Sequence, residues 1–241
     1  MNLDQSRRHF HDELDALQSR FLEMAGIVEE IVRMALDGLI SRDPAVAAVA
    51  LRDDDRVDDL EIEIDDRAQE LLALHQPMAK DLRLVLSTLK ASNDLERVGD
   101  HGVNIAKAAE RLSRMAAIPD LPEVEEMGDI ARGMLADALA AFVSRNAGTA
   151  RMVCVRDDKV DNFRRSLHRI LVTHMLEDPR RISPALELLL VSQNLERIAD
   201  LSTNIAEDVV FLVEGRSIKH NIEARQLDDV TGDVEESSPA S

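Results

Sequence analysis

Residues 95–106 read LERVGDHGVNIA, and residues 195–206 read LERIADLSTNIA, so that seven of twelve positions are identical at an offset of 100. A chain that carries one stretch twice at this separation is built from two copies of one unit stacked on each other. Upstream, Asp54-Asp55-Arg56-Val57-Asp58 is answered by Asp157-Asp158-Lys159-Val160-Asp161 at an offset of 103, and the three-residue difference fits a change in the intervening turn.

The periodicity within each unit is helical. From Phe10 the apolar residues fall at Leu14, Leu17, Phe21, Met24, Val28, Ile31, Ala35 and Leu39, in steps of three and four with charges between them. Ser41-Arg42-Asp43-Pro44 supplies a cap candidate followed by proline in a first helical turn, which predicts a second helix over 44–74. His75-Gln76-Pro77 breaks that helix, and a third runs to about Met115. Two prolines in Ile118-Pro119-Asp120-Leu121-Pro122 mark the boundary between halves. The plan then repeats, with helices over about 122–145 and 149–176, a break at Glu177-Asp178-Pro179, and a last helix that runs to about Val213. The expected fold is all-α: two tandem three-helix bundles over 1–117 and 121–214, followed by an acidic, disordered tail over 215–241.

Composition agrees with helices. Hydrophobic residues make up 45% but aromatics only 2%, with no Trp or Tyr, so Leu, Ile, Val, Ala and Met must fill the core. The formal charge of −18 argues against nucleic acid and bare anionic membrane as partners, and favours divalent cations or a basic protein surface. Cys154, alone in an apolar run, reads as a small buried hydrophobe in a reducing compartment. With no apolar leader in the first residues and no run of 18 apolar residues, a cytoplasmic location is expected.

The repeated acids carry the chemical interest. Asp54 lies four residues after Ala50 and three before Val57, and Asp157 stands likewise between Val153 and Val160. The seam through Leu86 and Leu89 continues into Asn93, Glu96 and Asp100, and that through Leu186 and Leu189 into Gln193, Glu196 and Asp200. Carboxylates four apart share a helix face, so Asp54 with Asp58, Glu96 with Asp100, Asp157 with Asp161 and Glu196 with Asp200 form four claws. Like charges so placed destabilise a bare helix, and a bound cation removes the penalty. An oxygen-only donor set suits divalent or trivalent ions such as Mg, Mn, Ca, Fe or Zn and leaves the identity open. The plainer alternative is an exposed charged helix in which the acids pair with Arg97, Arg197, Arg56 or Lys159. Asn104 and Asn204 sit one turn beyond each claw, available as carbonyl ligands or as packing residues. His101 faces Leu201 in the other copy and stands outside the repeated chemistry, and the remaining histidines read as surface or structural.

This pattern of duplicated acids four apart, with flanks RVDDLEIEIDDRAQELLALHQPMAKDLRLVLSTLKASNDLERVGDH and NLERIADLSTNIAEDVVFLVEG, resembles the PhoU family of phosphate-uptake regulators. The resemblance spans about residues 8–220. It implies a non-enzymatic regulator that contacts the ATPase of a phosphate ABC importer and a histidine sensor kinase, restraining both when phosphate is plentiful; a homodimer is expected on separate grounds, since acidic bundles often pair through a helix face. It also implies metal at the four claws, with no catalytic residue and no organic cofactor. Ala199 and Leu201 depart from Gly99 and His101 of the first copy.

The rival class is a carboxylate-bridged metalloenzyme or a metal-storage bundle. Ferritin-like centres need Glu-x-x-His on two helices, and none of the seven histidines follows a glutamate at that spacing. No Gly-x-Ser-x-Gly elbow or phosphate-cradling Gly-rich loop occurs either.

Overall fold

Apolar residues at helical spacing hold the first helix to everything that follows. A computed structural model describes residues 3–115 and 121–218. In it, Leu14, Leu17, Phe21, Met24, Val28 and Ile31 are all buried along one stripe of α1 (Leu3–Ser41). Arg42 then takes a left-handed turn, and the Asp43 carboxylate accepts a hydrogen bond from the Ala45 N–H at 2.8 Å, with Pro44 in the first helical turn. This is the expected cap and start.

The helix expected over 44–74 is instead two: α2 (Pro44–Ala50) and α3 (Asp54–His75), separated by Leu51, Arg52 and Asp53. The physical reason lies partly on α1. Gly38 allows the backbone of α2 to come so close that a Cβ at that position would sit 2.6 Å from the Ala47 nitrogen. A short helix seated this tightly cannot continue in line with α3. Asp53, Asp54 and Asp55 then cluster at the positive end of the new helix, where negative charge is favourable. The first bundle closes with α4 (Lys80–Ser113).

The second bundle consists of α5 (Pro122–Ser144), α6 (Ala147–Glu177) and α7 (Ile182–Glu214). The Asn146 side chain caps α6 by accepting from the Gly148 and Thr149 N–H groups at 2.9 and 3.1 Å. A 3₁₀ turn at Pro179–Arg181 joins α6 to α7, and Gly215, at φ 72°, closes α7 through its N–H to the Phe211 carbonyl at 2.8 Å. The α2–α3 break has no counterpart here, since α6 runs 31 residues without interruption. Among the described residues there is no strand, and no helix is long and apolar enough to cross a membrane. The Pro-rich boundary at 116–120 and the tail from residue 219 lie outside the described residues.

α4 and α7 cross antiparallel at the centre. Arg83 donates to the Leu212 carbonyl at 3.2 Å near one end, the His101 ring meets the Asn194 side-chain amide oxygen at 2.9 Å near the middle, and Arg111 forms a bidentate pair with Glu187 near the other end. Phe21 of α1 and Phe142 of α5, both buried, pack with ring centroids 4.5 Å apart. Most buried apolar residues of both bundles therefore belong to one continuous core, Leu171 and Ala185 forming a small separate cluster, and Cys154 is buried in the main core as expected.

Candidate metal centre

Helical spacing puts Asp54 and Asp58 on the side of α3 that faces Glu96 and Asp100 of α4. Burial raises the Asp54 carboxyl above its ordinary value, and the charges of Asp100 and Asp58 push it further the same way. Glu96 is raised by burial and then by Asp100, Glu61 and Asp58. Each group thus feels acids of the facing helix as well as its own, which marks a single electrostatic cluster. Among the described residues, no ion pair reaches Asp54, Asp58, Glu96 or Asp100. Arg97 turns to Asp94 at 3.7 Å, and Arg56 to Glu23 at 2.6 Å.

The second repeat is built alike but neutralised. Glu196 pairs with Arg164 at 3.0 Å and Asp200 with Arg197 at 3.2 Å. Both carboxyls are raised chiefly by burial, with Asp161 adding to the rise on each, while Arg164 and Arg197 pull them back. Asp157 lines a small hollow of about 250 Å³ together with Arg97, Arg197, Asp200, Thr203 and Asn204, so it stands beside two guanidinium groups. Asn104 is exposed on the corresponding turn of α4.

Two expectations change in the folded chain. The acids lie at the border of the packed stripe and not within it: Asp58 and Asp100 are exposed, and the other six are half-buried. The buried stripe of α4 runs through Leu84, Thr88, Ala91, Leu95 and Val98, and Leu186, expected on the seam of α7, is exposed. Of the four basic residues expected to pair with these acids, Arg197 does so with Asp200, while Arg97 and Arg56 turn to other carboxylates. Sequence reasoning did not reach the second guanidinium, Arg164, nor Glu61, a fifth acid of the first cluster. The repeat itself contains the signal: Glu61 and Arg164 are equivalent at the offset of 103 that relates Asp54 to Asp157.

The donor chemistry of the first cluster fits a hard cation: five carboxylates from two rigid helices, with the Asn93 amide bonded to Glu61 at 3.2 Å. Among the described residues, no three Asp, Glu, His or Cys side chains converge closely enough to grip an ion as they stand.

The fold and the paired clusters define a duplicated helical-bundle protein with an acidic face on one half. A family model described as the PhoU domain matches residues 21–109 and again 124–209, and the chain belongs to the PhoU family. It is 36% identical over 217 residues to a "Phosphate-specific transport system accessory protein PhoU homolog" of Clostridium acetobutylicum, covering 90% of this chain and 99% of that one. A protein of the same description from Pseudomonas aeruginosa is 38% identical over 214 residues, covering 88% of each. The crystal structure of PhoU from Pseudomonas aeruginosa superposes with a TM-score of 0.83 at 38% identity, over 86% of this chain and all of that one. The phosphate transport system regulatory protein PhoU from Streptococcus pneumoniae gives 0.77 at 31% identity, over 86% of this chain and 98% of that one.

Proposed function

We propose that this protein is a cytoplasmic accessory regulator of phosphate-specific transport, acting by contact with the importer ATPase and with a sensor kinase. The observation that supports this most is the match to accessory proteins of that system along nearly their whole length, including both repeats. A rigid bundle with extended helix faces suits a protein that works by docking.

In this reading Asp54, Asp58, Glu96 and Asp100, with Glu61, hold a divalent or trivalent cation. The cation cancels the like-charge repulsion between α3 and α4, and by binding the folded form it stiffens that pair of helices. Asp157, Asp161, Glu196 and Asp200 form the second, weaker centre, because Arg164 and Arg197 already neutralise part of it. The protein acts as a homodimer and carries out no chemistry of its own.

Deleting the protein in its native host tests the regulatory reading. Phosphate-starvation genes are expected to be expressed in high phosphate once it is lost. Unchanged repression in the deletion strain contradicts the proposal.

A further inference from the structure

The groove between the second and third helices of each repeat has one scaffold and two charges. In the first repeat it is a hollow of about 470 Å³ floored by Leu89, Ser92 and Asn93 of α4, rimmed by Glu61 and Asp65 of α3, and lined also by Lys90 and Asp94 of α4 and by Asn204 and Asp208 of α7. In the second it is a hollow of about 740 Å³ floored by the equivalent Leu189, Ser192 and Gln193 of α7. Its rim carries Arg164 and His168 at the positions of those two acids, and adds Arg165 and Arg169. On a chain of formal charge −18 this is a local inversion. Among the described residues, neither Arg165 nor Arg169 has a carboxylate partner; Arg165 bonds only the Asp161 carbonyl and the Asn162 amide oxygen.

The basic rim continues into exposed apolar side chains. Residues 165, 169, 172 and 176 lie on one stripe of α6 by helical spacing, so Val172 and Leu176 extend the line of Arg165 and Arg169. Leu176 is 83% exposed. On α7, Leu186 and Leu190 are 50% and 47% exposed and four residues apart, Leu186 about one turn before Leu189 of the groove floor and Leu190 next to it in sequence. In the first repeat the equivalents of Val172, Leu176, Leu186 and Leu190 are Gln69, Ala73, Leu86 and Lys90, of which only Leu86 is apolar and large, and it is half-buried. Large exposed apolar groups gathered beside unpaired cations mark a contact surface.

We propose that this groove of the second repeat is a docking site for an amphipathic helix of a partner protein, apolar along one stripe and acidic along its flank. The proposal rests on the regulatory reading above and supplies it with a surface. Two antiparallel helices offer a groove that takes a third helix along their length, its apolar anchors three and four residues apart. The stripe from 165 to 176 is about 17 Å long at the rise of an α-helix, which sets the docked segment at roughly three to four turns. Acidic flanking residues supply what Arg165 and Arg169 lack, and the apolar stripe covers Val172, Leu186 and Leu190.

The test uses the full chain and a labelled designed 14-residue peptide with leucines at helical spacing and glutamates on one flank, read by fluorescence anisotropy. Saturable binding is expected, weakened roughly tenfold or more by Arg165→Glu with Arg169→Glu, and by Leu186→Ala with Leu190→Ala. Asp65→Asn with Asp66→Asn on the first repeat leaves it unchanged. Circular dichroism confirms that each variant keeps its helices, since all these side chains lie on the surface. Equal binding of a scrambled peptide that keeps the composition but loses the stripe overturns the proposal, as does indifference to the arginine reversal. Light scattering that shows the arginine reversal splitting a dimer assigns the face to a second copy and overturns it too. If neutralising Asp228, Asp229, Asp233, Glu235 and Glu236 is required for the peptide to bind, the chain's own acidic stretch is the occupant and the proposal also fails. None of these results depends on the deletion phenotype, so the docking site can fail while the regulatory reading stands.

Discussion

The two repeats share a skeleton and differ along one helix face. Between Asp58 and Arg67 the second helix of the first repeat reads DDLEIEIDDR, and the equivalent stretch of the second, residues 161–170, reads DNFRRSLHRI. The inward positions stay apolar, with Leu60 and Ile64 matched by Phe163 and Leu167, and of the four only Phe163 is not fully buried. The outward positions trade acids for bases. Core packing fixes what faces inward, because a lost or misplaced side chain costs several kcal/mol there, while surface charge changes cost little. Duplication followed by divergence of that outer face gives one fold two electrostatic faces, one suited to cations and one to an anionic partner.

The largest expected effect tests whether the repeats can be treated separately at all. Phe142 packs on Phe21 across the two bundles within a common core. Phe142→Ala is expected to cost about 3–5 kcal/mol. Because the core is continuous, the loss should appear as one lowered unfolding transition in calorimetry or urea titration. Two separated transitions, with the first bundle unaffected, would show that the repeats are independent and that only their electrostatics can be compared.

Next in size is the metal comparison. Glu61→Arg places in the first cluster the charge that the second carries at Arg164. Affinity for Mn²⁺ at the first cluster is expected to fall roughly 10- to 100-fold, the range associated with losing a supporting group around a metal. Arg164→Glu should raise the affinity of the second cluster in return, although Arg197 still holds Asp200. Isothermal titration of metal-stripped protein distinguishes the two sites by their different affinities. Equal effects of the two substitutions on both sites would remove the asymmetry.

Much of this was legible in the sequence because repetition made weak signals count twice. The helices, the Asp43-Pro44 start and the Asn146 break follow from periodicity and capping residues. The eight motif acids follow from their recurrence at matched positions. The break after Ala50 was not legible, because Leu51-Arg52-Asp53 contains neither Gly nor Pro. Its cause is a tertiary contact, the approach of Ala47 to Gly38 some nine residues earlier. The border position of the acids was also hidden. A seam extrapolated through Leu86 and Leu89 drifts off the buried stripe, because helix faces rotate by about 20° per heptad and a three-four pattern does not say which of two adjacent stripes is packed. The arginine partner was hidden for another reason: Arg164 reaches Glu196 across helices, and the offset of 103 that sets Glu61 at its place gives the equivalence but not that contact.

The smallest effect separates the clusters by pH. Burial and facing acids raise Glu96 above the ordinary glutamate value of 4.5. A carboxyl whose folded value lies above its unfolded one favours the folded state fully below the unfolded value, and that contribution is lost as pH rises through the folded value. Metal-free Glu96→Gln should therefore be the more stable protein at pH 7, by roughly 0.5 kcal/mol, the scale of like-charge relief on a partly exposed helix. The gain should vanish as pH falls below 4.5, where Glu96 is protonated in both states. Glu196→Gln should give a smaller gain at pH 7, because burial raises its carboxyl too but the pairing with Arg164 at 3.0 Å pulls it back. Saturating Mn²⁺ should reverse the sign for Glu96→Gln, since the ion stabilises the folded protein through the carboxylate that the substitution removes. Thermal melts in chelator and in Mn²⁺ at pH 4 and 7 read all of these differences. A Glu96→Gln gain that persists unchanged at both pH values and in both solutions would mean that the first cluster carries no charge strain for a cation to relieve.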